Sequence, residues 1–248
     1  MNDLTAYILT AFLMLAGGVM KGIVGIGLPA FLIGTMSLYL EPREVVLIIL
    51  FPIMFTNIRQ GLIGGPIKDV FLRYRTLAIV CAISIFVVAM FAGQVPTNIL
   101  LIVVGAAITV FGVSSLIGGI PRLPDEFAQL GQAATGVVSG LLGGLTAIWG
   151  PPIAFYLMAR EASKSEFVQV TGMLFSIGAI FMGFGILTAG EMTVPAAIQS
   201  ALMLPIVFGG IFIGEKIRDK LNRDLFFKLV LIGFFLIGLN LIRKGVLG

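Results

Sequence analysis

The sequence predicts an all-α fold: a polytopic helical membrane protein made of two inverted-topology repeats, each a broken Gly-rich helical hairpin plus three transmembrane helices. Three observations predict it. Of 248 residues, 58% are hydrophobic and 11% charged, less than half the charge a soluble domain of this size carries on its surface, about 25%. The mean hydropathy is +1.11. Two over-long apolar runs are interrupted near their middles by matching clusters of glycine and proline.

Apolar runs fall at about 4–40, 44–64, 74–93, 97–118, 128–159, 167–188, 194–214 and 225–242. Six of them are close to the ~20 residues that cross a bilayer as helix. The runs 4–40 and 128–159 are too long for one span and slightly short for two, at ~1.5 Å per residue against a ~30 Å core. The first is broken at Gly17-Gly18-Val19-Met20-Lys21-Gly22-Ile23-Val24-Gly25-Ile26-Gly27-Leu28-Pro29, the second at Gly136–Gly144 and Trp149-Gly150-Pro151-Pro152. Gly18, Gly22 and Gly25 match Gly136, Gly140 and Gly143 at an offset of 118; after a small insertion Pro29 matches Pro152 and Glu44 matches Glu166. The chain therefore divides into a first repeat, 1–118, a linker, 119–127, and a second repeat, 128–248, within one integral-membrane domain. The amino terminus has no basic region or small-residue cleavage site, so the first run reads as a membrane segment and not a removable signal.

Loop charge decides how often the second broken run crosses. If it crosses an even number of times, Lys68, Arg73, Arg75, Arg122, Arg160, Lys164, Lys216, Arg218, Lys220 and Arg223 share one side, ten basic residues against three, Arg43, Arg243 and Lys244. If it crosses once, the split is six against seven. Positive residues collect on the cytoplasmic side, which favours the hairpin and makes 119–127 a cytoplasmic linker. For the first run, which lacks flanking charge, the repeat is the guide. Each half then crosses five times, or three times plus a re-entrant hairpin, so the halves are inverted and both termini lie outside the cytoplasm.

Inverted repeats with broken helices at matching positions point to a secondary transporter with its site near the midplane, because backbone leaving helix geometry in hydrocarbon needs protein, water or ligand as partner. An anion suits these breaks. Pro29, Pro151 and Pro152 stand where a second arm would begin, aiming the positive end of its dipole at the break, and Lys21 adds a formal charge. The expected lining is Lys21, Gly22, Gly25, Gly27, Pro29, Asn57, Ser139, Gly143, Gly144, Trp149, Gly150, Pro151 and Gln169, with Arg59, Glu44 and Glu166 as coupling or gating candidates. Each has a plainer reading beside it. Lys21 and Arg59 could snorkel to an interface. Trp149, the sole tryptophan, could be an interfacial anchor. Thr171 and Ser176 could bond back to their own helix, and Gln60 accompanies Asn57 near a helix end. The spacings Gly18–Gly22 and Gly136–Gly140 also suit close helix packing.

Composition excludes much else. The chain has no histidine and one cysteine, Cys81, which removes His-based triads, His-ligated metals and internal disulfides. No phosphate-binding GxxxxGK[ST] loop occurs. No enzyme activity, cofactor or metal is expected, and no nucleic acid. The expected partners are a small anion, the bilayer and, for a coupled carrier, a proton or sodium ion; self-association is open.

Lys21-Gly22-Ile23-Val24-Gly25-Ile26-Gly27, Ser139-Gly140-Leu141-Leu142-Gly143-Gly144 and Trp149-Gly150-Pro151-Pro152 resemble the sulfite exporter TauE/SafE family, within the toluenesulfonate uptake permease superfamily, and the repeat carries the resemblance over almost the whole chain. The family's first repeat usually has consecutive glycines where this chain reads Gly25-Ile26-Gly27-Leu28-Pro29. The resemblance implies export of a small sulfur-containing anion, sulfite or an organosulfonate, across a bacterial inner membrane. The alternative reading is a passive anion channel or uniporter for small oxyanions.

Overall fold

The computed structural model describes residues 3–62, 67–117, 121–220 and 223–247, and the regular elements among them are helices. In chain order these are α1 (Asp3–Val24), α2 (Leu28–Met36), α3 (Pro42–Gly61), α4 (Ile67–Arg73), α5 (Arg75–Phe91), α6 (Thr97–Ile117), α7 (Ala128–Thr146), α8 (Gly150–Ala159), α9 (Lys164–Thr188), α10 (Val194–Ile217) and α11 (Arg223–Leu247). The predicted span ends at 64 and 118 and the start of the linker lie outside the described residues. Five described segments are long and apolar enough to cross a membrane: Thr5–Val24, Pro42–Gly61, Arg75–Gln94, Ser165–Thr188 and Val194–Ile217. The polytopic helical expectation holds.

Each over-long run is a long arm followed by a short one. α1 and α7 have 22 and 19 residues, α2 and α8 only 9 and 10. At ~1.5 Å per residue the long arms measure about 30 Å and the short arms about 14 Å, half of the hydrocarbon thickness.

Two compact units organise the chain. The first comprises Met1–Pro52, Thr97–Ile117 and Val194–Gly248; the second comprises Ile53–Pro96 and Gly118–Thr193. Each draws elements from both halves of the sequence. In the first, α1 packs along α10, and α6 along α11; in the second, α5 packs along α7 and α9. The division falls inside α3 at Pro52, where the missing N–H removes a helical hydrogen bond.

Element boundaries recur at fixed spacing. Val24 and Thr146 end the long arms, Leu28 and Gly150 open the short arms, and Pro42 and Lys164 open the helices that follow, each pair 122 residues apart. Phe91 and Ile217 end α5 and α10, and Thr97 and Arg223 open α6 and α11, each pair 126 apart. Glycine identity alone matched the breaks at 118. At 122 the glycines match again, Gly18 with Gly140 and Gly22 with Gly144, and no insertion inside the break is needed.

Packing obeys the same register. A Cβ on Gly18 or Gly22 would collide with the carbonyl oxygens of Val207 or Ile211 on α10. A Cβ on Gly140 or Gly144 would crowd the carbonyl oxygens of Cys81 or Ile85 on α5, at 3.2 and 3.0 Å. Val207 and Ile211 lie 126 residues beyond Cys81 and Ile85. Small residues let the backbones of membrane helices approach this closely, and dispersion between them replaces the hydrophobic drive that lipid cannot supply.

The short arms are tied at their carboxyl ends. Lys244 Nζ donates to the carbonyl oxygens of Ser37 at 3.4 Å and Leu38 at 3.2 Å, just past α2. A cation at a helix C-terminus contributes about 0.3–1 kcal/mol. Lys244→Met is therefore expected to lower unfolding stability by up to about 1 kcal/mol, read as a modest fall in melting temperature in detergent.

Candidate functional site

The first break is built by glycine. Lys21 lies in the last turn of α1, and its carbonyl accepts the Gly25 N–H at 2.7 Å. Gly25 and Gly27 take φ of 93° and 94°, a region costing about 1–2 kcal/mol for L-residues with a Cβ, so glycine lets the chain turn here without that strain. A Cβ on Gly25 would meet none of the described residues within 4 Å. Gly27 caps α2, and Pro29 sits in its first turn, leaving Leu28 and Ala30 as first-turn residues with an N–H. Lys21 itself is only 7% exposed. Snorkelling into water is thus not its state in this conformation.

The second break turns at the equivalent place without glycine. Ala147 adopts φ 56° and donates its N–H to the Gly143 carbonyl at 2.7 Å, and Ile148 N–H reaches Thr146 Oγ1 at 3.2 Å. Trp149 caps α8, and Pro151 and Pro152 follow, so two of the first three residues of α8 have no N–H to offer. Both short arms begin at their break, with different sets of first-turn N–H donors. Trp149 is 1% exposed, with Phe175 edge-on at 6.1 Å. A Cβ on Gly143 would lie 2.8 Å from Trp149 Cβ and Cε3. The tryptophan is a core residue here, not an interfacial one. Gly150 faces Phe175, 3.2 Å from a Cβ built on it, and Gly144 faces Val88. Ser139 is fully buried, and its Oγ has no hydrogen-bond partner among the described residues.

Of the remaining candidates, Gly22 packs on α10. Asn57, 1% exposed, donates Nδ2 to the Ile53 carbonyl at 2.8 Å, a local bond within α3. Gln169 is buried on α9. Arg59 and Glu44 are exposed, Glu44 in the first turn of α3. Glu166 opens α9 and accepts from Arg73 Nη1 and Tyr74 Oη, both at 2.8 Å; Ser163 caps the same helix through Glu166 N–H. Glu166 holds the Arg73 guanidinium above its ordinary pKa through this hydrogen bond and its charge. Burial, and then the same carboxylate, push the Tyr74 phenol up. The structure thus gathers Lys21, Gly25, Gly27 and Pro29 at one break and Gly143, Trp149, Gly150 and Pro151 at the other, and leaves the coupling candidates at helix ends. Two contributors carried little sequence signal: Phe175 is one of 20 phenylalanines, and Gln60 proves to be a helix clamp, its Nε2 donating to Val168 O and Thr171 Oγ1, both at 3.1 Å.

A sequence model described as sulfite exporter TauE/SafE matches residues 9–241. The chain belongs to the sulfite exporter TauE/SafE family. Membership makes it a membrane transporter of the sulfite-exporter type, and both glycine breaks lie inside the matched span. No curated protein and no solved structure matches the chain significantly. In this TauE/SafE chain the linker is pinned to the end of α8. Leu123 N–H donates to Ala159 O at 2.8 Å, and Arg160 bridges Leu123 O at 2.7 Å and Asp125 Oδ1 at 2.6 Å.

The Arg160 hydrogen bond, then its charge, hold the Asp125 carboxyl below the usual range. A depressed carboxyl stabilises above its unfolded pKa, about 3.9 for aspartate, and that contribution disappears as pH falls through the lower folded value. Acidification through that window is expected to lower the protection of the Leu123 amide in the wild type, read as its exchange rate relative to the intrinsic rate at the same pH. Asp125→Asn should already show fast exchange at neutral pH, with little change in melting temperature, because the pair is solvent-exposed.

Proposed function

We propose that the protein is a secondary transporter that exports a small sulfur-containing anion, sulfite or an organosulfonate, across the bacterial inner membrane. The anion is bound near the midplane, where Lys21 in the first Gly-rich break supplies its counter-charge. One observation carries this reading: a lysine 93% buried from solvent sits in the last turn of a helix that breaks within an apolar run. Ionisable groups at such depth are expensive to keep and mark substrate or ion pathways. Family membership supplies the substrate class.

The test is sulfite efflux from proteoliposomes, with sulfate and an alkylsulfonate as competitors, under imposed proton or sodium gradients. Saturable efflux that one gradient drives uphill, with competition by the sulfonate, is expected. Efflux that never saturates and ignores every gradient would return the channel reading.

A further inference from the structure

The element boundaries align the two breaks residue by residue at a spacing of 122. Their turns agree with that register: Lys21 O accepts from Gly25 N–H and Gly143 O from Ala147 N–H, both at 2.7 Å, and Gly25 and Ala147 both have positive φ. Lys21 therefore corresponds to Gly143, and Gly27 to Trp149. The substitution is reciprocal. The first break has its long side chain at the end of the long arm and none at the cap of the short arm; the second has none at the end of the long arm and an indole at the cap.

The indole fills the space this exchange creates. It lies over Gly143, meets Phe175 edge-on, and comes within 3.3 Å of a Cβ built on Gly178. Ala147, Ile148 and Trp149 are each 3% exposed or less. Pro151 and Pro152 withhold two N–H groups from the same place. We propose that the two breaks divide the work: the first contacts the anion through Lys21, and the second is a packed, substrate-free hinge in which Trp149 is a positioning residue that locks the turn. This rests on the reading that Lys21 belongs to the substrate site.

Ser139 is the atom through which the second break would reach an anion if it did. It precedes Gly143 by one turn on the same face of α7, the face that meets Trp149, and its buried Oγ has no hydrogen-bond partner among the described residues. Its counterpart Gly17 faces Leu28, Phe31 and Leu32 of the first short arm.

The experiment titrates the purified full chain in detergent with sodium sulfite, read by calorimetry and by the emission of the sole tryptophan. The expected emission resists acrylamide quenching with and without saturating sulfite. Trp149→Phe and Ser139→Ala should bind sulfite within about twofold of wild type, whereas Lys21→Met should bind at least about tenfold more weakly, the scale of one lost charge-assisted hydrogen bond. A loss of about tenfold or more in Ser139→Ala or Trp149→Phe alongside Lys21→Met would overturn the division of labour and leave the transport reading standing. Wild-type affinity in Lys21→Met would instead remove the site reading itself. If Trp149→Phe does not fold, Ser139→Ala and the wild-type quenching decide, and an indole as accessible as free tryptophan overturns the proposal.

Discussion

Replacing Lys21 by methionine is expected to abolish measurable sulfite flux in proteoliposomes while leaving the protein folded. Methionine has nearly the same length and adapts to irregular space, so the change removes charge with little change in packing. Hydrogen bonds to charged groups contribute about 1.5–3 kcal/mol, so substrate affinity should fall at least about tenfold. Flux should return in part with Lys21→Arg, which keeps the charge but changes its shape. Thermal melting of the same preparations separates loss of site from loss of fold. Full flux in a folded Lys21→Met protein would sink the role assigned to this residue.

Alanine at Gly22 or Gly144 is expected to cost a large amount of stability for a single added methyl group. A Cβ at Gly22 lies 2.9 Å from Glu215 N and Gly214 Cα and closer still to the Ile211 carbonyl; at Gly144 it lies 2.5 Å from Val88 Cβ. Most of these are backbone atoms or atoms next to backbone, so neither contact clears by a rotamer change, and the helices must separate. Overpacking of this kind costs about 1–3 kcal/mol, and valine should prevent recovery of folded protein. Gly209 is the control: it lies on α10 with none of the described residues within 4 Å of an added Cβ. Alanine there should be neutral, or stabilise by up to about 1 kcal/mol through helix propensity. Melting curves for the three alanine variants check this directly, and a Gly22→Ala protein that melts with the wild type would remove the close-contact account.

Much of the molecule was readable in its sequence, because the relevant physics is local. Chain in hydrocarbon must satisfy its own backbone, so hydropathy and length revealed the helices, and Gly25, Gly27, Pro29, Pro151 and Pro152 marked where helices stop and restart. The same local chemistry flagged Lys21, since one charge in a long apolar run stands out without reference to any neighbour. The register between the breaks was not readable, because Gly18 and Gly22 match partners at both 118 and 122. Only the helix ends, and the carbonyls that the glycines touch on α10 and α5, separate the two.

The sequence by itself determined the helical class, the two breaks, the buried-charge candidate and, through its motifs, the family. The tertiary structure alone decided that α1 packs on α10 and α7 on α5, that Gly22 and Gly144 meet neighbouring helices, and that Trp149 is core and not an interfacial anchor. The reason is range. Turn geometry and hydropathy act over a few residues, whereas these contacts join residues far apart in the chain, and the periodicity of one helix does not specify which neighbour its glycine face will meet.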